Sequence, residues 1–354
     1  MCVPRRLASH VVTMASTALT PELLGQPARH VARAFARDRL RKTLEEAARL
    51  EISPRGADAV EPVGGAVLPD DDPEAVHDFR VALRRLRTWL RAFRPLLDDA
   101  VTRDTRRRLR RLWRLAGDAR DLQVQHAWLT DATSGLNSAA MAQARSLAAE
   151  FAPSVARAQR KLTRRVVKDL PRASAELAGR LERERRDVGA LSGAGTAMSA
   201  AMARLLRTQL EELQANMIRL RRRRRLELAH PVRIAAKRLR YLLDAFERSS
   251  RLATAATRRL AALQDVFGDL HDAQVLARRI GATSGQRNRR ASSLEVAVRR
   301  RVDTTFRRVR QLSRSGELTA VHAATDRLIR QLERRASGAR LRSLRPKAPG
   351  SSRH

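Results

Sequence analysis

The chain of 354 residues carries 73 lysines and arginines against 37 aspartates and glutamates, a formal net charge of +36. Apolar residues make up 43% of it, which argues against an intrinsically disordered chain, and the single cysteine excludes an internal disulfide framework. Aromatic residues are only 3%, and the abundant alanine, leucine and arginine favour helix over strand. Because so large a charge repels itself in a compact fold, it predicts an anionic partner: a polyphosphate, a nucleic acid or an anionic membrane surface.

The two ends of the chain lack the periodicity of a helix. Residues 1–26, which contain Pro4, Pro21 and Gly25, predict an irregular segment. The basic residues 337–354 predict a disordered tail.

Between these ends, helical periodicity predicts an all-α protein in two halves. Glycine and serine at 189–196 mark the predicted boundary between a first half, residues 27–190, and a second, residues 191–336. No apolar run reaches the roughly 20 residues that span a bilayer. The N-terminal residues also form a poor secretory signal, so we expect a cytoplasmic protein with no membrane partner.

Two segments of the first half recur in the same order in the second. Residues 77–87 (HDFRVALRRLR) align with residues 230–240 (HPVRIAAKRLR) at an offset of 153. The pattern Gly-Asp-x-x-Asp-x-Gln-Val occurs at 117–124 and again at 268–275, an offset of 151. Two spaced matches at nearly one offset are hard to attribute to a bias toward arginine and leucine. They predict an internally duplicated helical unit.

The Gly-Asp steps and several proline or glycine positions predict where helices end. Gly117-Asp118 and Gly268-Asp269 resemble the end of one helix followed by the cap of the next. Another break is predicted at 170–173, around Pro171. One turn beyond each Gly-Asp step stand Asp121 and Asp272, which we expect to fix nearby arginines rather than to catalyse a reaction.

Each copy of the first segment carries an apolar stripe and a cationic stripe on one helix. The apolar stripe has a spacing of four and three residues, typical of the core face of a helix bundle. Its members are Phe79, Leu83, Leu86, Leu90 and Phe93, and in the second copy Val232, Ala236, Leu239, Leu243 and Phe246. The cationic stripe, rotated by about 100°, consists of His77, Arg80, Arg84, Arg87 and Arg91, and in the second copy His230, Arg233, Lys237 and Arg240, with Asp244 at the position of Arg91.

The unmixed charge of this second stripe predicts a bound anion. Like charges three and four residues apart destabilise a helix, and a solvated face usually mixes signs. From Arg80 to Arg91 the stripe runs about 16 Å, which suits a linear chain of phosphates better than one phosphate. A merely solvated basic face is the alternative. His77 and His230 stand near helix starts, where free N–H groups favour an anion, although each could instead be satisfied by a backbone carbonyl.

The doubled pattern His-x-x-Arg-x-x-x-(Arg/Lys)-Arg-Leu-Arg, each time followed by Gly-Asp-x-x-Asp, resembles the CHAD family (conserved histidine α-helical domain) over roughly residues 28–335. The resemblance implies two four-helix bundles related by pseudo-twofold symmetry around a basic groove. It also implies binding of inorganic polyphosphate, often at polyphosphate granules. The binding positions that it implies are His77, Arg80, Arg84, Arg85 and Arg87, with His230, Arg233, Lys237, Arg238 and Arg240. Thr88 departs from the pattern, because the second copy has Tyr241 there, so the halves need not bind alike.

Two other functions compete with polyphosphate binding. Nonspecific nucleic-acid binding fits the charge, although few aromatic residues are left for base stacking. An HD-type metal phosphohydrolase fits the pairs His77-Asp78 and His271-Asp272. The repeat argues against it, because Asp78 aligns with Pro231. We therefore predict a binding protein with no cofactor, no metal site and no catalytic residue.

Overall fold

The computed structural model describes residues 18–52, 73–131, 136–187, 196–223, 225–284 and 292–344. These residues confirm the predicted all-α class, and no strand occurs among them. The α-helices are α1 (Pro21–Gly25), α2 (Ala28–Ile52), α3 (Pro73–Ala92), α4 (Arg94–Leu97), α5 (Arg103–Asp131), α6 (Ser138–Asp187), α7 (Met198–Arg223), α8 (Ala229–Leu243), α9 (Arg251–Ser284), α10 (Ser293–Arg314) and α11 (Glu317–Leu344). None of the described helices is long and apolar enough to cross a bilayer.

The long helices of the two halves pack in a similar order. In the first half α3 packs between α2 and α5, and α6 packs against both α5 and α2. In the second half α8 packs between α7 and α9. The role of α6 is divided there, because α10 packs against α9 while α11 packs against α7 and α9. Two four-helix bundles were expected. The second half has five long helices among the described residues, α7 to α11.

The division between α10 and α11 has a local cause. Ser315 leaves the helical conformation, with φ −68° and ψ 160°, and its N–H donates to the carbonyls of Gln311 and Leu312. Gly316 follows and α11 starts at once. The helix α6 has no such stop, although Pro153 and Pro171 lie within it.

The predicted apolar stripes form the core. On α3, Phe79, Leu83 and Leu86 are fully buried, and on α8 Val232 and Leu239 are too. The remaining members of both stripes are also buried. A smaller, separate core joins the halves, where the ends of α5 and α9 pack against the starts of α6 and α10.

The starts of α2 and α7 are joined by a reciprocal pair of backbone hydrogen bonds. The N–H of Ala28 donates to Thr196 over 2.9 Å, and the N–H of Met198 donates to Gln26 over 2.8 Å. Such an exchange is what two elements related by a twofold axis make. The pseudo-twofold relation of the whole halves stays a prediction.

Three predicted helix ends are wrong. The helix α5 passes through Gly117, α9 passes through Gly268, and α6 passes through Pro171. An interior glycine costs a helix only about 1 kcal/mol relative to alanine, so buried neighbours outweigh it. Ala116 and Phe267 are such neighbours. Proline costs more, about 3 kcal/mol, and α6 offsets it with a buried stripe on both sides of Pro171.

The chain ends also differ from prediction. Within the segment expected to be irregular, Pro21–Gly25 forms α1, because Thr20 caps it by accepting from the N–H of Leu23 and proline occupies the first turn. The predicted tail begins inside α11, which continues to Leu344. Residues 1–17 and 345–354 lie outside the described residues, as does 188–195, where the boundary between the halves was expected.

The apolar stripe of α3 should dominate stability. We expect Leu83→Ala to lower the free energy of unfolding by about 2–5 kcal/mol, because it leaves a cavity in a fully packed core. Leu44→Ala removes the same atoms from a side chain that is 39% exposed, and should change the free energy of unfolding by no more than about 0.5 kcal/mol. Urea denaturation measures both. Equal losses would contradict the assignment of α3 to the core.

Candidate anion-binding groove

The cationic faces of α3 and α8 border a cavity of about 580 Å³ that also contacts α5 and α7. We call this cavity the central groove. The predicted site residues that line it are Arg80, Arg84, Arg87, Arg91, Arg233, Lys237 and Arg238. Its lining also includes Trp113, Gln209, Glu212 and Tyr241. The predicted residues His77, Arg85, His230 and Arg240 lie outside the lining.

Like charges are crowded together in the central groove. Burial, followed by the neighbouring arginines, lowers the pKa of Arg84 to about 10. The pKa of Arg87 is also lowered to about 10, first by burial and then by Arg110 and Arg91. The largest effect falls on Lys237, whose pKa drops to about 6 through burial and then through Arg233 and Arg84. Lys237 therefore changes charge close to neutral pH.

Several guanidinium groups of this region have unused hydrogen-bonding capacity. The buried Nε atoms of Arg80, Arg84, Arg233 and Arg240 have no hydrogen-bond partner among the described residues. Buried polar atoms are normally paired, since leaving one unpaired costs about 1–3 kcal/mol. Each Nε is shielded from solvent, so an anion with acceptors only would satisfy these N–H groups once the guanidinium groups turn toward it.

Two aromatic side chains hold the arginines in place. The guanidinium carbons of Arg80 and Arg87 lie 5.3 and 5.2 Å from the ring centre of Trp113. Those of Arg84 and Arg240 lie 5.0 and 5.4 Å from the ring centre of Tyr241. Such cation–π contacts stabilise a cation without neutralising it. Trp113 was missed as a site residue because its spacing on α5 resembles that of a core position.

Carboxylates lie at two places beside the groove. Asp121 comes within 4.0 Å of Arg80, as expected for a residue that fixes an arginine. Burial raises the pKa of Asp121 and of Asp272, while Arg80 and Arg233 act in the opposite direction. On the other side, Arg238 donates to Glu212 over 2.8 Å. Arg238 is therefore a partly neutralised member of the lining.

Arg85 takes part in a different contact. Its Nε lies 3.7 Å from the carboxylate of Asp244, the residue that stands where the first copy has Arg91. Burial lowers the pKa of nearby Arg39 to about 10, and Asp244 acts in the opposite direction. Arg39 also stacks on Trp89, 4.0 Å from the ring centre. Arg85 thus belongs to an ion pair beside the groove, not to its open face.

The predicted histidines lie near one end of α3 and α8. Burial lowers the pKa of both, assisted by Arg120 for His77 and by Arg233 for His230. The ring of His230 lies 6.1 Å from that of His271. Burial, together with Arg233, lowers the pKa of His271 to about 4. The three histidines are therefore mainly uncharged at neutral pH.

The sequence predicts no metal ligand. The structure nevertheless brings together one set of side chains that could hold a metal ion. Glu74, His77 and Asp78 have ligand atoms within 4.8 Å of one another, the one such group in the described chain. Asp78 also accepts from Arg49 over 2.6 Å. The hydrolase alternative needs its metal ligands to converge around one ion, and this group contains one His-Asp pair but neither His271 nor Asp272.

Known proteins that resemble this chain in sequence or fold identify its family. The sequence matches the CHAD domain over residues 57–281, more than half of the chain, whereas no curated protein matches it. The structure is similar to the CHAD domain from the plant Ricinus communis, with a TM-score of 0.60 and 20% identity over 88% of this chain and 94% of the other. It is also similar to PptA from Streptomyces chartreusis, with a TM-score of 0.54 and 16% identity over 89% and 100%. At these identities the structural likeness shows the shared fold, and the family match shows that the chain belongs to the CHAD domain family.

Proposed function

We propose that this protein binds inorganic polyphosphate in the central groove and does not cleave it. The observation that carries the proposal is a set of cations without carboxylate partners. Arg84, Arg87, Arg91 and Lys237 all line the groove, and none forms an ion pair with a described residue. Some arginines elsewhere on the protein pair with aspartate or glutamate, and many others are unpaired at the exposed surface. In the groove, Arg84 and Lys237 are both unpaired and largely buried. Cations that the fold leaves unpaired are available to a ligand.

The arrangement favours a linear polyanion over a single phosphate. The cations of α3 extend over about 16 Å of helix from Arg80 to Arg91, and α8 contributes Arg233 and Lys237 from a second direction. A chain with one charge on each repeating unit can contact both helices along its length. Arginine suits it, because the planar guanidinium donates two parallel hydrogen bonds to phosphate oxygens.

The aromatic residues of the groove argue against nucleic acid as the preferred ligand. Single-stranded nucleic acids gain affinity by stacking bases on exposed rings. Trp113 and Tyr241 already carry two guanidinium groups each. A ligand without bases needs no free ring. Cytoplasmic polyphosphate granules, the location that the family resemblance implies, would present such a ligand.

The groove should account for affinity beyond the effect of net charge. We expect the triple variant Arg84→Gln, Arg87→Gln, Lys237→Gln to lower affinity for long-chain polyphosphate by about a hundredfold or more at about 0.15 M salt, since it removes charge-assisted contacts. The matched control is Arg300→Gln, Arg307→Gln, Arg308→Gln, which removes at least as much charge from exposed positions on α10. The control should weaken binding by about threefold or less. Calorimetry gives the affinities and circular dichroism verifies folding; equal losses in both variants would show that binding follows bulk charge.

Binding should be coupled to protonation of Lys237. A bound anion raises the pKa of Lys237 from about 6 toward its usual value, so binding takes up protons above pH 6. Affinity should therefore fall as pH rises from about 7 to about 9. This range lies above the pKa of about 6 in the free protein and below the ordinary lysine pKa of about 10.4. Lys237→Arg keeps the charge at every pH and should flatten this dependence. Calorimetry in buffers of different ionisation enthalpy measures the uptake. An unchanged pH profile in the variant would contradict this linkage.

The purified protein should not shorten polyphosphate. We expect no phosphate release with or without Mg²⁺ or Mn²⁺, because Asp78 and His271 do not share one candidate metal cluster. Gel analysis of chain length and a phosphate assay test this. Turnover that disappears in Asp78→Asn or His271→Ala would favour the hydrolase instead.

A further inference from the structure

A second cavity of about 460 Å³ adjoins the central groove. The two share Arg87 and Arg91 in their linings. The second cavity extends from the end of α3 past α4 to the first turns of α5, and we call it the α4 cavity. Its lining also includes Arg94, Arg106 and Arg110. Because the cavities share two cations, the positive lining of one adjoins that of the other.

The α4 cavity holds more positive charge than its carboxylate can neutralise. Asp98 is the acidic residue of the lining. It accepts from Arg106 over 3.0 Å and from Arg94 over 3.4 Å, and these contacts, Arg106 first, lower the pKa of Asp98. Arg110 forms no ion pair with any described residue. At the junction with the groove the cations therefore face one another without an acid between them.

Comparison of the two halves shows that this charge is specific to the first. At the offset of 153 that relates α3 to α8, Arg91 and Arg94 correspond to Asp244 and Glu247. At the offset of 151 that relates α5 to α9, Arg106 and Arg110 correspond to Thr257 and Ala261. A general excess of arginine would have filled both copies alike. Cations at these positions are found in one copy only.

We propose that a polyphosphate chain too long for the central groove continues past Arg91 into the α4 cavity, which is a second binding subsite for the same ligand. The chain leaves the groove on the first half only. On the second half the corresponding position holds Asp244, which pairs with Arg85. This inference rests on the proposed function. It adds the direction in which the bound chain leaves the groove, and it makes affinity depend on the length of the chain.

The test compares ligands of two lengths. The triple variant Arg94→Gln, Arg106→Gln, Arg110→Gln removes three cations that line the α4 cavity and not the central groove. Tripolyphosphate and long-chain polyphosphate are titrated into the wild type, this variant and the α10 variant of equal charge, at about 0.15 M salt. Thermal melts verify that all three proteins fold.

We expect the α4-cavity variant to bind long-chain polyphosphate about tenfold or more weakly, and tripolyphosphate within about twofold of the wild type. Its slope of log affinity against log salt for the long chain should fall by about one for each phosphate that the variant no longer neutralises. The α10 variant should change little with either ligand. Equal losses in the two variants, or an equal loss for both ligands, would overturn the second subsite while leaving polyphosphate binding intact. A wild-type protein that binds neither ligand would overturn the proposed function as well.

Discussion

Repulsion between the cations that α3 and α8 hold side by side is the constraint to which the rest of the structure responds. The apolar stripes, exemplified by the fully buried Leu83 and Leu239, fix the two helices even though their cationic faces repel. Trp113 and Tyr241 stabilise guanidinium groups without cancelling their charge. Carboxylates reach only part of the set: Asp121 approaches Arg80, and Glu212 pairs with Arg238. The fold keeps the charge instead of neutralising it.

Arginines outside the groove show that neutralisation was available. Asp169 is almost fully buried on α6 and lies 3.3 Å from Arg108 and 3.6 Å from Arg111, both on α5. There the cations join two helices and a carboxylate compensates them. In the groove no described carboxylate forms an ion pair with Arg84 or Lys237, although Asp272 favours the charged form of Lys237 from a greater distance. This arrangement lowers stability relative to a neutral interface. A binding site commonly carries this kind of cost, and its ligand returns stability when it binds the folded state.

The sequence was sufficient for the parts of the structure that depend on short-range periodicity. The apolar stripe from Phe79 to Leu90 and the cationic stripe beside it are local properties of one helix, so spacing alone located them. The continuity of α5 through Gly117 depends on burial of Ala116 against other helices, which spacing does not reveal. Two site assignments failed because they depend on residues from other helices. Trp113 belongs to the site because it contacts Arg80 of α3, and Arg85 lies outside it because it pairs with Asp244 at the end of α8.

A competition experiment tests the central claim most directly. Labelled long-chain polyphosphate is bound to the intact protein at about 0.15 M salt and displaced by unlabelled polyphosphate, single-stranded DNA or double-stranded DNA at equal phosphate concentration. If unpaired cations in the groove select a chain of phosphates, unlabelled polyphosphate displaces the label at concentrations well below those of either DNA. Displacement by DNA at equal or lower concentration would contradict the account, because the ligand would then be read by charge alone or through its bases.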